Sequence, residues 1–312
     1  MLRKLAALIL ILTLLPCIVA AENAPETILV DRINAPKENP DFAFPEDTGL
    51  LEVVFPQILD CDAALIRCGG KTMLLDCATA QQANRVTAML KQMGVTELDY
   101  VVNTHPHADH ITGLNAIAEE VTVKAFYICH SDDETRHMTS ALALCEEKGI
   151  PVVRYGDGDQ FHLGDAVLDV WLKCDESCNL NERSAQIRLQ YGDRTMLFTA
   201  DMLTATEKAL LEHVDHALLD IDLLKYPHHG KKAMTSAFLD VATPVFAIIT
   251  NNGGKNAQRG RKCLNSKRIA YANTVPGYVS CVTDGQTWLV ERLAMDQPVK
   301  VTSRPDTRDF VP

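Results

Sequence analysis

Between Val101 and Leu114 the chain reads VVNTHPHADHITGL, which places His105, His107, Asp109 and His110 within six residues. Imidazoles and a carboxylate at this density form a ligand set that suits Zn²⁺, with Mn²⁺ or Fe as alternatives. The cluster follows an apolar run at 98–102, predicted to be a buried strand. A loop leaving a strand carries its side chains off the sheet edge. His105 and His107, two residues apart, can reach one point. Asp109 and His110, at the entry to the next helix, can reach a second point a few ångströms away. Two ions held about 3.5–4 Å apart can generate and position a hydroxide. The chemistry expected is therefore metal-assisted hydrolysis. A merely solvated loop fits poorly, because H-x-H-x-D-H behind a buried strand is a specific pattern.

A dinuclear site needs further ligands, and three other strand ends offer them. TMLFTAD ends in Asp201, a carboxylate able to bridge two ions. LLKYPHHG ends in His228 and His229, and TMLLDC ends near Asp76. Other histidines read as ordinary. His213 and His216 lie at a helix end, His130 and His137 flank a helix start, and His162 sits in a turn. Capping or solvent exposure is expected for these. Cys174-x3-Cys178 reads as a disulfide, a ligand pair or two free thiols.

The elements that must hold these residues alternate between strand and helix. Short β-rich runs are predicted at 51–55, 63–67 and 72–75, with Gly69-Gly70 as a hairpin turn. Helical spacing covers 80–93, 111–118, 132–148, 205–213 and 236–241. Further strands are predicted at 98–102, 121–128, 151–154, 166–172, 185–190, 195–199, 222–226, 245–250, 278–282 and 287–291. Strands come in two runs, each with its own helices. That suits an α+β fold of two mixed sheets packed together with helices outside.

With 312 residues and 47% hydrophobic content, the chain can bury a large core. Residues 1–21 read as a signal peptide. A short basic segment precedes an apolar run at 5–15, and small residues precede Glu22. The run is short for a membrane span, so no stable membrane insertion is expected after cleavage; an uncleaved N-terminal anchor is the alternative. Residues 22–49 read as an extended linker and 50–312 as one domain. Export would permit disulfides, but the nine cysteines beyond Cys17 are an odd number, and most lie in apolar segments. The formal charge of -11 disfavours tight non-specific binding of nucleic acid. Local basic stretches remain at Lys231-Lys232 and at 259–262.

The motif H-P-H-A-D-H resembles the metal motif of the metallo-β-lactamase fold. The wider pattern is similar to the hydrolase-like domain of the competence protein ComEC and its stand-alone relatives. It runs through DAALIRCGGKTMLLDCA, VVNTHPHADHITGL, GIPVVRYGDGDQFHLGD, SAQIRLQYGDRTMLFTAD, LLKYPHHGKKAMTSAFLDVATPVFAIIT and CVTDGQTWLV. The likeness spans roughly 51–292. It implies a four-layer αββα sandwich with two Zn²⁺ at one edge. It further implies His105 and His107 on one ion, Asp109, His110 and His228 on the other, Asp201 bridging them, and Asp76 orienting ligands from behind. There are departures. The segment before Asp201, VWLKCDESCNLNERS, lacks the third histidine usual for the first ion, leaving Cys174, Asp175, Cys178 or water. Ala78 and Ala200 stand where glycine is usual, and Lys231 follows His228-His229-Gly230.

The resulting expectation is a secreted or cell-surface hydrolase that uses a metal-bound hydroxide on a phosphodiester, with a nucleotide or nucleic acid as substrate. Asp109 would hold the hydroxide's proton. His229 would bind the anionic oxygen or protonate the leaving group, and Lys231 and Lys232 would add charge for a phosphate. Hydrolysis of a small ester, lactone or lactam is the alternative, as is a non-catalytic binding module with a degenerate first site.

Overall fold

In a computed structural model the described residues are 28–31 and 49–293. The signal read at 1–21, most of the linker and residues 294–312 lie outside them. Eighteen strands occur among the described residues. They are β1 (Ile28–Asp31), β2 (Leu51–Phe55), β3 (Ala64–Cys68), β4 (Lys71–Leu75), β5 (Glu97–Leu98), β6 (Tyr100–Val102), β7 (Thr122–Val123), β8 (Phe126–Ile128) and β9 (Val152–Arg154). They continue with β10 (Gln160–Leu163), β11 (Ala166–Trp171), β12 (Gln186–Tyr191), β13 (Arg194–Phe198), β14 (Leu223–Lys225), β15 (Phe246–Ile249), β16 (Ala270–Asn273), β17 (Tyr278–Thr283) and β18 (Trp288–Leu293). One mixed sheet has the order β1-β18-β17-β2-β3-β4-β6-β8-β9, and the other runs β10 through β16 in sequence. A small parallel pair, β5-β7, stands apart.

Period-two alternation decides which way each strand faces. Leu51, Val53, Ile66, Met73 and Leu75 point between the sheets, where they meet Ile187, Met196, Phe198, Leu223 and Ile248. The intervening Val54, Leu65, Leu74 and Val101 point the other way. There they pack with Val86, Met89 and Leu90 of helix α1 (Ala83–Gln92) and with residues of three further helices: α2 (Ala108–Ile111), α3 (Leu114–Glu120) and α4 (Arg136–Lys148). In the second sheet, Leu197, Leu224, Ala247 and Ile249 form an outer layer with α5 (Thr204–His213), α6 (His216–Leu219), α7 (Ser236–Ala242) and α8 (Gln258–Ser266). Sheets buried on both faces need helices outside, which gives four layers.

Strand direction places the chemistry. β4, β6, β8 and β9 are mutually parallel, as are β13 through β16. Their C-terminal ends open onto one edge in each sheet, the usual place for a site in parallel sheets. The loops at that edge are tied to one another by backbone bonds. Asp62 N–H donates to the Asp109 carbonyl (3.1 Å), Cys77 N–H to His110 (2.7 Å), and Ala78 N–H to Asp62 (2.7 Å).

Several predicted boundaries differ. The helix at 111–118 is two helices, α2 and α3, broken at Thr112-Gly113. A Cβ on Gly113 would stand 1.9 Å from the Cys77 carbonyl oxygen, so the break is where the metal-motif loop meets the loop after β4. The strand at 98–102 is split at Asp99, whose carboxylate accepts from the Thr72 N–H at 3.0 Å. The strand at 121–128 is likewise split into β7 and β8. Helix α4 starts later than predicted, because the Thr135 hydroxyl caps it by accepting from Met138 N–H (3.1 Å). β10, α6, α8 and β16 were not predicted. α8 buries only Gly260 and Leu264, too little apolar signal against its basic side chains. Part of the expected linker, β1, adds a parallel strand beside β18. All nine described cysteines are free thiols, so Cys174 and Cys178 are not a disulfide. No described helix is long and apolar enough to cross a membrane.

His130, two residues beyond β8, is buried at 6% exposure rather than solvated. Burial, with the Arg183 guanidinium near, pushes its imidazole down to about 4. Unfolded, the ring would take its proton near pH 6.5. Between these values the unfolded chain binds the extra proton, so stability falls as pH drops from 6.5 to 4 and is insensitive to this group above that window. Urea unfolding of the metal-free chain should lose about 3 kcal/mol to this group across the window, and His130→Asn should flatten the slope. Gly113→Ala should cost at least about 1–3 kcal/mol, read as a Tm lower by about 2–4 °C per kcal/mol. Gly156→Ala, where a Cβ meets nothing within 4 Å, should stay within about 0.5 kcal/mol of wild type.

Candidate metal centre

Two carboxylates organise the site from behind. Asp76, directly after β4, accepts from Thr104 N–H (2.8 Å), Thr104 Oγ1 (2.8 Å) and Asn103 Nδ2 (3.2 Å). It also stands 2.7 Å from His110 Nδ1. With its proton on Nδ1, His110 turns Nε2 toward Asp201 Oδ1, 3.3 Å away. Asp62, in the loop between β2 and β3, does the same for His229. Its Oδ1 lies 3.0 Å from His229 Nδ1 and accepts from Thr250 Oγ1 at 2.6 Å. His229 Nε2 then faces Asp109 Oδ2 (3.1 Å) and Asp201 Oδ1 (3.4 Å). A carboxylate behind a histidine fixes tautomer and orientation, as in metal-ligating pairs.

On the other side of Asp201, His105 Nε2 and His107 Nδ1 approach to 3.0 Å. His105 Nε2 lies 3.9 Å from Asp201 Oδ2, and His228 Nε2 lies 3.7 Å from the same oxygen. Donor atoms of His105, His107 and Asp201 all lie within 4.8 Å of one another, as do those of Asp62, His110, Asp201 and His229. Asp62 is committed to Lys225, Thr250 and His229 Nδ1. Asp109, whose Oδ1 has no partner, is the better fourth donor for the second group.

The donor set fits cations. Asp109 Oδ1, His110 Nε2, Asp201 Oδ1 and His228 Nδ1 are buried without a hydrogen-bond partner. Such orphaned atoms are costly unless something binds them. Asp62, Asp76, Asp109 and Asp201 are all buried, with Lys225 as the buried ammonium among them. Charge compensation in the protein alone falls on protons. Burial opposes protonation of His110, yet Asp76, Asp201 and Asp109 hold its imidazole well above the usual range. Burial likewise opposes ionisation of Asp201, but His228, His229 and His110 keep it well below the usual carboxylate range. Burial, with His110 and His107 adjacent, drives His105 well below its ordinary value, so it stays neutral and able to ligate.

The backbone here is unusual. Asp60, Asp76, Ala78, Ala200, His228 and His229 have positive φ, six of the eight such non-glycine residues described. Left-handed residues of this kind cost on the order of 1 kcal/mol each and gather at functional sites. Ala78 (φ 57) and Ala200 (φ 44) stand where the resemblance expects glycine, and they keep the conformation that favours it.

His105, His107, Asp109, His110 and Asp201 come together at one edge. The two consecutive histidines turn to different neighbours. His229, read as a proton donor to substrate, is fully buried against Asp62 and Asp109. His228, read as a ligand of the second ion, instead turns toward the Asp201 oxygen that His105 faces. Cys174 lies by Thr206 (3.8 Å), and Asp175 is exposed and bonded to Ser177. Neither they nor Cys178 belong to the two ligand groups. Asp62 and Lys225 were missed. Their sequence signals are an acid within QILDCDAALI and a lysine ending the apolar run LDIDLLK.

The sequence profile of the metallo-β-lactamase superfamily matches residues 57–249. Comparison with curated protein sequences gives no match. Among solved structures, CmlA from Streptomyces venezuelae, a diiron β-hydroxylase, is similar at 15% identity and a TM-score of 0.50, over 80% of this chain and 55% of CmlA. The metallo-β-lactamase fold protein YhfI from Bacillus subtilis is similar at 14% identity and a TM-score of 0.48, over 72% of this chain and 95% of YhfI. A metallo-β-lactamase with a HARLDQ motif from Cronobacter sakazakii is similar at 16% identity and a TM-score of 0.39, over 55% of this chain and 73% of that one. At these identities the likeness is one of fold. With two mixed sheets, helices outside and a ligand cluster at the shared edge, the profile match is decisive: the chain belongs to the metallo-β-lactamase superfamily.

Proposed function

We propose that this chain is an exported metal-dependent hydrolase of phosphodiesters, with nucleotides or nucleic acid as its substrate class. The observation that carries the reading is the pair of ligand groups sharing Asp201, with a lysine beside them. His105, His107 and Asp201 would hold the first ion, with His228 as third imidazole. Asp109, His110 and His229 would hold the second, with Asp201 between the two. Once bound, such ions activate water and stabilise developing negative charge; Zn²⁺ suits this donor set, with Mn²⁺ or Fe as alternatives.

The remaining work falls to the chain's own residues. Asp109 sets Oδ2 against His229 and has Oδ1 unpartnered, which suits a carboxylate that both ligates and holds a proton of the attacking water. Lys231 Nζ lies 4.0 Å from Asp109 Oδ2 with its side chain 22% exposed. Lys232 beside it is exposed. A pair of ammonium groups there favours an anionic substrate over a neutral ester. The quoted motifs, which resemble those of ComEC relatives, point the same way, and the leader-like residues 1–21 support export.

Metal content after gel filtration tests the ligand assignment. Wild type should carry two ions, His107→Ala and His228→Ala should each lose the first, His229→Ala the second, and Asp201→Asn both. Loss of the second ion in His228→Ala would reverse the assignment of the two histidines. For the substrate, a panel of a phosphodiester, an ester, a lactone and a β-lactam should show phosphodiester turnover. Lys231→Ala should raise KM for the phosphodiester about tenfold, ~1.4 kcal/mol, and leave KM for neutral substrates unchanged. Two ions with turnover of only neutral substrates would replace the phosphodiester with an ester, lactone or lactam. One ion or none, with no turnover after Zn²⁺ or Mn²⁺ is restored, would leave a binding module.

A further inference from the structure

Lys225 is the last residue of β14, 3% exposed, and follows the buried Leu223 and Leu224. Its ammonium reaches two groups from different parts of the chain. It is ion-paired with Asp62 Oδ2 and donates to the Ala200 carbonyl at 3.1 Å. Its own carbonyl accepts from the Thr199 hydroxyl at 2.5 Å. Each partner adjoins a ligand. Asp62 holds His229 Nδ1, so the direction of His229 Nε2 depends on how the Asp62 carboxylate is turned. Ala200 is the left-handed residue immediately before Asp201, and its carbonyl also accepts from His228 N–H at 3.0 Å.

We propose that Lys225 is a positioning residue for the second metal position, an ammonium clamp that fixes the Asp62 carboxylate behind His229. The inference rests on the two-ion reading above. A buried lysine is retained only where its charge is paired and its donors are used, and here the charged partner, Asp62, is the carboxylate that holds His229. An apolar residue of similar length would fill the space but leave Asp62 Oδ2 buried without its cation, with only Thr250 and His229 holding the carboxylate through Oδ1. The Ala200 carbonyl would keep the His228 N–H as a donor, so the turn before Asp201 stays held. Groups that orient ligands from behind are typically worth about 10–100-fold in metal affinity.

The test titrates the metal-free full chain with Zn²⁺ against a chromogenic chelator and follows the Co²⁺ absorption spectrum in parallel. Lys225→Met should bind one ion with wild-type affinity and the other about 10–100-fold more weakly, with a selective change in part of the Co²⁺ spectrum. A general loss of structure would weaken both ions together, so selectivity separates positioning from packing. If Lys225→Met does not accumulate folded, Lys225→Gln carries the test, because a shorter neutral side chain cannot pair with Asp62 as the ammonium does and the same ion should weaken. Two ions bound as in wild type by the folded variant, or equal weakening of both, would overturn the proposal. A wild-type chain that binds no second ion would overturn the two-ion reading itself, and the clamp with it.

Discussion

Asp62, Asp76, Asp109 and Asp201 are buried where the two sheets meet, and most of the local architecture answers to their charge. Carboxylates removed from water must be paired, hydrogen-bonded or bound to cations. Asp76 is satisfied by Thr104, Asn103 and His110, and Asp62 by Thr250, Lys225 and His229. Asp109 and Asp201 each keep Oδ1 without a hydrogen-bond partner, and that of Asp201 faces the unpartnered Nε2 of His110 and the Nε2 of His229. The carboxylates divide in two: Asp62 and Asp76 hold imidazoles in place, and Asp109 and Asp201 keep an oxygen without a hydrogen-bond partner.

The sandwich makes this arrangement rigid. Each supporting residue lies beside a strand whose alternate side chains are locked into the inter-sheet core or the helical layers. Backbone bonds join the loops of Asp62, Cys77 and Asp109 into one lattice, and the close contact at Gly113 leaves no room for a side chain between them. Positive φ at residues flanking or forming the site concentrates backbone strain there, which persists because the surrounding packing determines it.

The departures from the family pattern have a structural answer. Alanine at 78 and 200 keeps the left-handed turns that glycine would adopt more cheaply. The absence of a histidine before Asp201 coincides with a left-handed His228-His229 pair whose rings are nearly perpendicular, 88°. One ring turns to each oxygen of the Asp201 carboxylate, Oδ2 for His228 and Oδ1 for His229. Consecutive residues thus address both ligand groups.

Much of this was legible in the sequence. Alternating apolar strands in two runs implied two mixed sheets, because a period of two fixes facing without knowledge of partners. Five ligand candidates, His105, His107, Asp109, His110 and Asp201, were legible because they stand at strand ends or in one short motif. The roles of His228 and His229 were not, because a left-handed turn sends neighbouring side chains in directions that spacing does not encode. Nor were Asp62 and Lys225, which meet across 163 residues. Local pattern determines which residues are buried and which types can ligate. Only the tertiary fold decided which carboxylate stands behind which imidazole, because Asp62 meets His229 across the two sheets and Asp76 meets His110 from the neighbouring parallel strand, contacts that sequence spacing does not encode.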